Sequence, residues 1–176
     1  MNKNIIYEFL LLVVPLFVFF FVILVVVAKP FEVSGDSMYP TLKNGEKIFA
    51  QNVSYNFGDK IARGDIVVVQ HPEYKESFLV KRVIALPEDS IEFSNGVIYI
   101  NGIVIDENYL PEGTKTLAYG NFEADTVYNI PADKYLVLGD NRDSSSDSRA
   151  FGYFDINKIE GKVYTVYLPL NSIRIL

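Results

Sequence analysis

The sequence has no cysteine and a single histidine, His71, among its 176 residues. The first absence excludes disulfides, thiol nucleophiles and thiolate metal sites; the second excludes a histidine-rich metal centre. No metal or other cofactor is expected. Basic residues are also few, 16 Lys and Arg against 22 Asp and Glu, and no basic patch stands out, so nucleic acid is not an expected partner. The lack of cysteine fits a location in the cell envelope, since an exported domain need not use bridges. After residue 28 there is no long helical pattern, and no internal repeat occurs anywhere.

What is present begins with an apolar run over residues 9–28, uncharged and interrupted only by Pro15. At about 1.5 Å per residue it measures about 30 Å, the thickness of one hydrocarbon core, and it reads as a transmembrane helix. It is longer than the apolar region of a usual signal peptide and lacks a small-x-small cleavage pattern before Lys29, so a retained anchor is expected rather than a cleaved leader or a buried core helix. Lys3 and Lys29 are too few and too balanced to set its orientation. The expected organisation is a short tail over residues 1–8, the helix over 9–28 and a folded domain over 29–176.

In that domain the pattern changes to short alternating or β-branched runs between turn residues. Strands are expected over residues 31–34, 47–53, 65–70, 77–86, 90–93, 97–100 and 135–138, with a further alternating stretch over 158–170 that sets Val163, Thr165 and Tyr167 against Tyr164, Val166 and Leu168. Asn95-Gly96 and Asn101-Gly102 are hairpin signals. The expected fold is mostly β, of antiparallel sheets, and residues 107–125 read as a polar surface loop or inserted hairpin with no legible chemistry.

Three stretches carry candidate chemistry. Ser37 lies in Ser34-Gly-Asp-Ser-Met-Tyr-Pro-Thr-Leu42, a turn nine residues beyond Ala28 and so within roughly 30 Å of a membrane surface at about 3.5 Å per residue. A serine nucleophile needs a base. His71, in a polar His-Pro-Glu-Tyr turn, reads as a solvated histidine, whereas lysine is the other base that serves serine. Lys81 sits in Phe78-Leu-Val-Lys-Arg-Val-Ile84, where strand alternation places it with Leu79 and Val83, and Arg82 with Val80 and Ile84. A lysine on a solvent-facing edge is the ordinary alternative; burial instead would lower its pKa from about 10.4 toward 7 or 8 and leave a neutral amine able to deprotonate Ser37. The third stretch, residues 139–152, interleaves Arg142 and Arg149 with Asp140, Asp143 and Asp147, which suits internal salt bridges that hold a loop and orient a lysine. A calcium loop is disfavoured, because the spacing lacks the EF-hand pattern and two arginines would oppose a cation.

Together, Gly35-Asp-Ser-Met-Tyr-Pro-Thr-Leu42, Gly64-Asp-Ile-Val-Val68, Val80-Lys-Arg-Val-Ile84 with Leu86-Pro87 and Asp89, and the run 139–152 make the chain resemble bacterial type I signal peptidases, most closely the short single-anchor form typical of Gram-positive bacteria. The resemblance implies a signal-peptidase-type β domain on the extracytoplasmic side of the cell membrane, cleaving signal peptides from preproteins after small residues and working as a monomer beside the lipid bilayer. It further implies Ser37 as nucleophile, Lys81 as general base, the Ser37 amide as oxyanion donor and Ser145 as the residue orienting the lysine. Asp147 and Arg149 fall on supporting salt-bridge positions, Asp140 and Arg142 on structural ones, and Val33, Met38, Leu42 and Val80 on the substrate pockets. The chain departs from relatives in having Gly35 where many place a second oxyanion-donating serine. It also reads Ala85-Leu-Pro-Glu-Asp89 where Gly-Leu-Pro-Gly-Asp is usual, and it lacks the large insertions of some relatives. The alternatives to weigh are a self-cleaving Ser/Lys protein and a non-catalytic membrane-tethered β domain that binds secreted chains.

Overall fold

The computed structural model describes residues 3–27, 29–51 and 60–176; within the first of these, side chains are described for residues 7–20. Helix α1 spans Lys3–Val27 with Pro15 inside it. Its described side chains are exposed on nearly every side. Among the described residues no helix is long and apolar enough to cross a membrane; residues 7–20 cover only about 21 Å at 1.5 Å per residue, against about 30 Å of hydrocarbon. The apolar run continues past these side chains, and its expected end at Ala28 lies outside the described residues.

The remainder is antiparallel β structure. The strands are β1 Lys29–Glu32, β2 Lys47–Gln51, β3 Ile66–Gln70, β4 Phe78–Ala85, β5 Ser90–Ser94, β6 Val97–Ile100, β7 Ile103–Val104, β8 Val127–Asn129, β9 Lys134–Leu138, β10 Phe154–Asp155, β11 Ile159–Leu168 and β12 Arg174–Ile175, with a short helix α2 at Ser148–Phe151. One sheet has the order β1-β2-β11-β3-β4-β9-β10, with β12 also on β11; a smaller one runs β7-β6-β5-β8. Most expected strands appear within a residue or two. The first is displaced, forming at Lys29–Glu32 so that Val33 and Ser34 lead into the Ser37 turn. The expected residues 52 and 53 of β2 lie outside the described residues.

Both Asn-Gly pairs turn as their chemistry predicts. Asn95 and Gly96 have φ 53° and 81°, Asn101 and Gly102 φ 53° and 77°, the left-handed pairs that a two-residue hairpin requires, and they connect β5 to β6 and β6 to β7. After β4, Glu88 adopts φ 68° where a glycine is usual in the resembling family. Asp89 holds that turn by accepting from the Leu86 amide at 2.6 Å and from Arg63 Nη2 at 2.9 Å.

Three apolar clusters fill the domain. Ile66 and Val68 of β3 pack with Val33, Met38, Leu42, Ile48, Ala50, Val163 and Val166. Val67 and Val69 face the other way, with Val83, Tyr135, Val137 and Phe154. Both faces of β3 are therefore covered, which explains its unbroken β-branched run. The third cluster joins Ile84, Leu136 and Leu138 to Ile91, Phe93, Ile98 and Phe122, locking the small sheet to the large one. Simple alternation in β11 fails: Val163 and Val166, expected on opposite sides, share one cluster. The register shift between Val163 and Thr165 accounts for it, because a bulge changes the phase of the side chains.

At Gly161 β11 lies against the backbone of β2. A Cβ there would lie 2.7 Å from the Gln51 carbonyl carbon and 2.8 Å from its oxygen, and backbone cannot yield as a side-chain tip can. Gly161→Ala is expected to destabilise the domain by about 1–3 kcal/mol, read as a lowered midpoint in thermal or urea unfolding; an unchanged midpoint would show that the two strands can separate.

Candidate active site

Strand β4 and the turn after β1 bring the two chemical residues together. Register pairs Lys81 with Val67 and Arg82 with Ile66, so the neighbouring cations leave opposite faces of β4. Lys81, on the face of Leu79 and Val83, is only 2% exposed, and its Nζ donates to Ser37 Oγ at 2.7 Å. The ordinary alternative of a solvent-facing lysine is excluded. Burial, opposed by the charges of Asp147 and then Asp140, lowers the Lys81 pKa from 10.5 to about 8.

The Ser37 turn closes through Tyr39 N to Asp36 O at 3.0 Å and Leu42 N to Met38 O at 2.9 Å. Gly35 has φ 83°, a conformation that favours glycine, and its amide donates to Asn44 Oδ1 at 2.9 Å. Val33, Met38 and Leu42 are buried beneath the turn, with Val80 packed partly buried against them. His71 takes no part: its Nδ1 accepts from the amides of Glu73 and Tyr74 at 3.1 and 3.3 Å, and its ring packs on Tyr74 and Phe151.

The loop 139–149 is built on buried ion pairs. Asp147 is fully buried and Arg149 1% exposed. The Asp147 carboxylate caps α2 by accepting from the Arg149 amide at 3.1 Å. It also accepts from Arg149 Nε and Nη2 at 3.0 and 2.9 Å and from the Gly139 amide at 3.1 Å. Asp140 takes the fork of Arg82, with Nε and Nη2 at 2.8 and 2.7 Å. Such bidentate pairs fix orientation as well as distance. Arg142 donates to the Gly139 carbonyl at 3.0 Å but finds its carboxylate outside the loop, at Glu107.

Residues 107–125, expected to carry no chemistry, thus complete the site's frame. Besides pairing with Arg142, Glu107 accepts from Tyr109 Oη at 2.5 Å. The Tyr109 ring lies 3.9 Å from the Arg82 guanidinium carbon. Thr116 Oγ1 accepts from Arg142, Leu117 and Tyr119 meet the Arg149 guanidinium, and Tyr119 Oη donates to the Ser145 carbonyl at 2.7 Å. The signal was available as a charge inventory: three buried arginines need three carboxylates, and Asp140 and Asp147 supply two.

Gly139 sits where these parts converge. A Cβ on it would overlap the Ser145 hydroxyl and the Ser37 carbonyl oxygen, so only glycine lets the loop approach the serine turn. The Asn141 amide seals that approach by donating to the Ser37 carbonyl at 3.0 Å. Ser145 Oγ is buried and has no hydrogen-bond partner among the described residues; the bond to Lys81 that the resemblance implies is not formed in this structure.

Two outcomes are expected. Gly139→Ala should lower turnover of a peptide substrate at least about tenfold, because misplacement of a reacting atom by a fraction of an ångström is costly, while circular dichroism still shows a folded β domain; wild-type turnover would mean the close approach is dispensable. Lys81→Met should raise the unfolding midpoint at pH 7. Below about pH 8 both folded and unfolded chains hold the lysine proton and the full cost of the buried ammonium applies, about 3 kcal/mol for a shift from 10.5 to about 8. Between about pH 8 and 10.5 the unfolded chain binds more protons than the folded one, so wild-type stability rises with pH and the variant's advantage shrinks. A pH-independent difference would refute this.

The chain is similar to several known proteins. The model of the family "Signal peptidase, peptidase S26" matches residues 6–168. Signal peptidase IB of Staphylococcus aureus (strain COL) is 37% identical, covering 99% of this chain and 95% of its own length. Signal peptidase I S of Bacillus subtilis (strain 168) is 40% identical over 82% of this chain and 79% of its own. A crystal structure of a signal peptidase I from Enterococcus faecalis V583 is 30% identical and covers 59% of this chain and 97% of its own, with a TM-score of 0.48. The extent of the family match and of the identities establishes that this chain belongs to the signal peptidase family, peptidase S26.

Proposed function

We propose that this signal peptidase cleaves its preproteins with Ser37 as nucleophile and Lys81 as general base. The observation that carries the reading is the 2.7 Å contact between Lys81 Nζ and Ser37 Oγ, made by a lysine whose burial brings its pKa to about 8. With the amine neutral, the contact runs in the other direction and the hydroxyl donates to the nitrogen lone pair. As Ser37 Oγ attacks the carbonyl after a small residue, Lys81 takes its proton; the resulting ammonium then protonates the departing amine as the peptide bond breaks. Water, deprotonated by the same amine, attacks the acyl-serine ester and releases the preprotein's signal peptide from Ser37.

The Ser37 amide is the proposed oxyanion donor. Gly35 does not provide a second, since its amide is engaged by Asn44. Ser145 is proposed to orient the amine: its buried hydroxyl has an unused bond to give and lies against the Ser37 turn. Asp147 and Arg149 hold that serine's loop, and Val33, Met38, Leu42 and Val80 offer a shallow apolar floor suited to small substrate side chains. A place for an extended substrate exists on β4 itself. Among the described residues β9 pairs with β4 only over Arg82–Ala85, which leaves residues 78–81 without a partner strand on that side, where an added substrate strand is proposed to pair.

We further propose that residues 9–28 anchor the chain in the cell membrane, with residues 29–176 as a monomeric extracytoplasmic domain beside the lipid bilayer. The uncharged, apolar run of α1 from residue 9 onward, with nearly all of the side chains of residues 9–20 exposed, supports this reading. An anchor there sets Ser37 at the height where a preprotein held by its own signal peptide presents its cleavage site.

Ser37→Ala and Lys81→Ala are each expected to abolish cleavage of a purified precursor while the domain stays folded. In the wild type, kcat/KM should rise with pH through a midpoint near 8, because the ammonium present at lower pH cannot accept the serine proton. Wild-type cleavage by Lys81→Ala, or a flat profile between pH 6 and 9, would sink the dyad.

A further inference from the structure

The segment that follows β11 adds little to the core. Strand β12 pairs with Thr165 and Val166, yet Ile173 and Ile175 are 59% and 87% exposed, so apolar burial does not account for its return to the sheet. What the segment places in the protein is the side chain of Arg174. Nη1 donates to Glu46 Oε1 at 2.8 Å and to the Ser172 carbonyl at 3.0 Å. Nη2 donates to Glu46 Oε2 at 2.7 Å and to the Thr41 carbonyl at 2.6 Å. The backbone beneath is pinned as well, Thr165 Oγ1 donating to the Arg174 carbonyl at 2.8 Å.

Both targets belong to the stretch that carries Ser37. Glu46 is 3% exposed, and its Oε2 also accepts from the Lys43 amide at 3.0 Å; the Arg174 hydrogen bond foremost holds its carboxyl below the usual carboxylate range. Thr41 is shared between two clamps. Its hydroxyl donates to Asp140 Oδ2 at 2.5 Å, tying it to the loop that also holds Ser37 through Asn141, while its carbonyl is held by Arg174. The loop thus secures the turn from Asp36 to Thr41, and the arginine secures it from Thr41 to Glu46. With the second clamp gone, the turn keeps the bonds near Ser37 but can pivot about them, and Glu46 remains buried without its cation.

We infer that Arg174 is a positioning residue for the peptidase reaction, latching the serine turn through Thr41 and Glu46 so that Ser37 stays in register with Lys81. The inference rests on Ser37 being the nucleophile. A latch of this kind acts on the reacting geometry and not on substrate affinity, so its loss should appear in kcat.

The test uses the full chain in detergent and a precursor peptide, assayed at least about 15 °C below each variant's own unfolding midpoint. Arg174→Gln is expected to lower kcat about tenfold with KM within about twofold. Arg174→Lys, which can still reach one Glu46 oxygen and the Thr41 carbonyl, should restore kcat to within about threefold of the parent. Unchanged kcat in Arg174→Gln, equal losses in both variants, or a loss carried by KM would overturn the latch. Ser37→Ala runs alongside: if it still cleaves, the identification of the nucleophile fails, and that result is distinct from a failed latch.

Discussion

A lysine amine kept out of water is the condition on which the rest of this domain depends. Exclusion of solvent lowers the pKa of Lys81, yet two buried carboxylates, Asp147 and Asp140, stand near enough to push it back up. Arg149 and Arg82 occupy those carboxylates with forked hydrogen bonds, and burial outweighs what the carboxylates do to the lysine. An unpaired carboxylate in the same place would hold the ammonium charged and remove its capacity to act as a base. The buried pairs are better understood as fixing the geometry around Lys81 than as a source of stability, which buried ion pairs seldom provide.

The same pairs determine shape. Gly139 is held at its amide by Asp147 and at its carbonyl by Arg142, and its bare Cα admits the Ser37 turn and Ser145 together. Arg142 in turn reaches Glu107, which brings residues 107–119 into the frame and makes the small sheet's long connection a structural partner of the large sheet's loop. Precision at one oxygen and one nitrogen is thus distributed over segments far apart in sequence.

Much of this was legible in the residues. The Asn-Gly hairpins and the opposed faces of Lys81 and Arg82 follow from turn chemistry and strand period alone, whereas the burial of both faces of β3 came from the structure, and alternation left Lys81 open between a buried site and a solvent-facing edge. The family resemblance named Ser145, Asp147 and Arg149, but it could not place the Ser145 hydroxyl, which stands unpaired. The illegible parts were long-range. Val163 and Val166 share a core because the bulge between Val163 and Thr165, in the pairing with β2, changes the phase of β11. Glu107, Tyr109 and Tyr119 looked like surface polarity because their partners lie 26 to 35 positions away in sequence, and Arg174 reaches back 128 to Glu46. No local pattern encodes such pairings; only the charge inventory of the buried arginines hints at them.

The adjacency of Lys81 and Arg82 on β4 carries one more consequence. Because successive side chains of a strand face opposite ways, a slip of β4 by one position against β3 would exchange the two cations. A guanidinium that never gives up its proton would then face the serine, and the titratable amine would face Asp140. The fold would retain a hydrophobic strand in the same slot and lose the contact between Lys81 and Ser37. The bidentate fit between Arg82 and Asp140, which a lysine cannot imitate, is made in the observed alignment of β4.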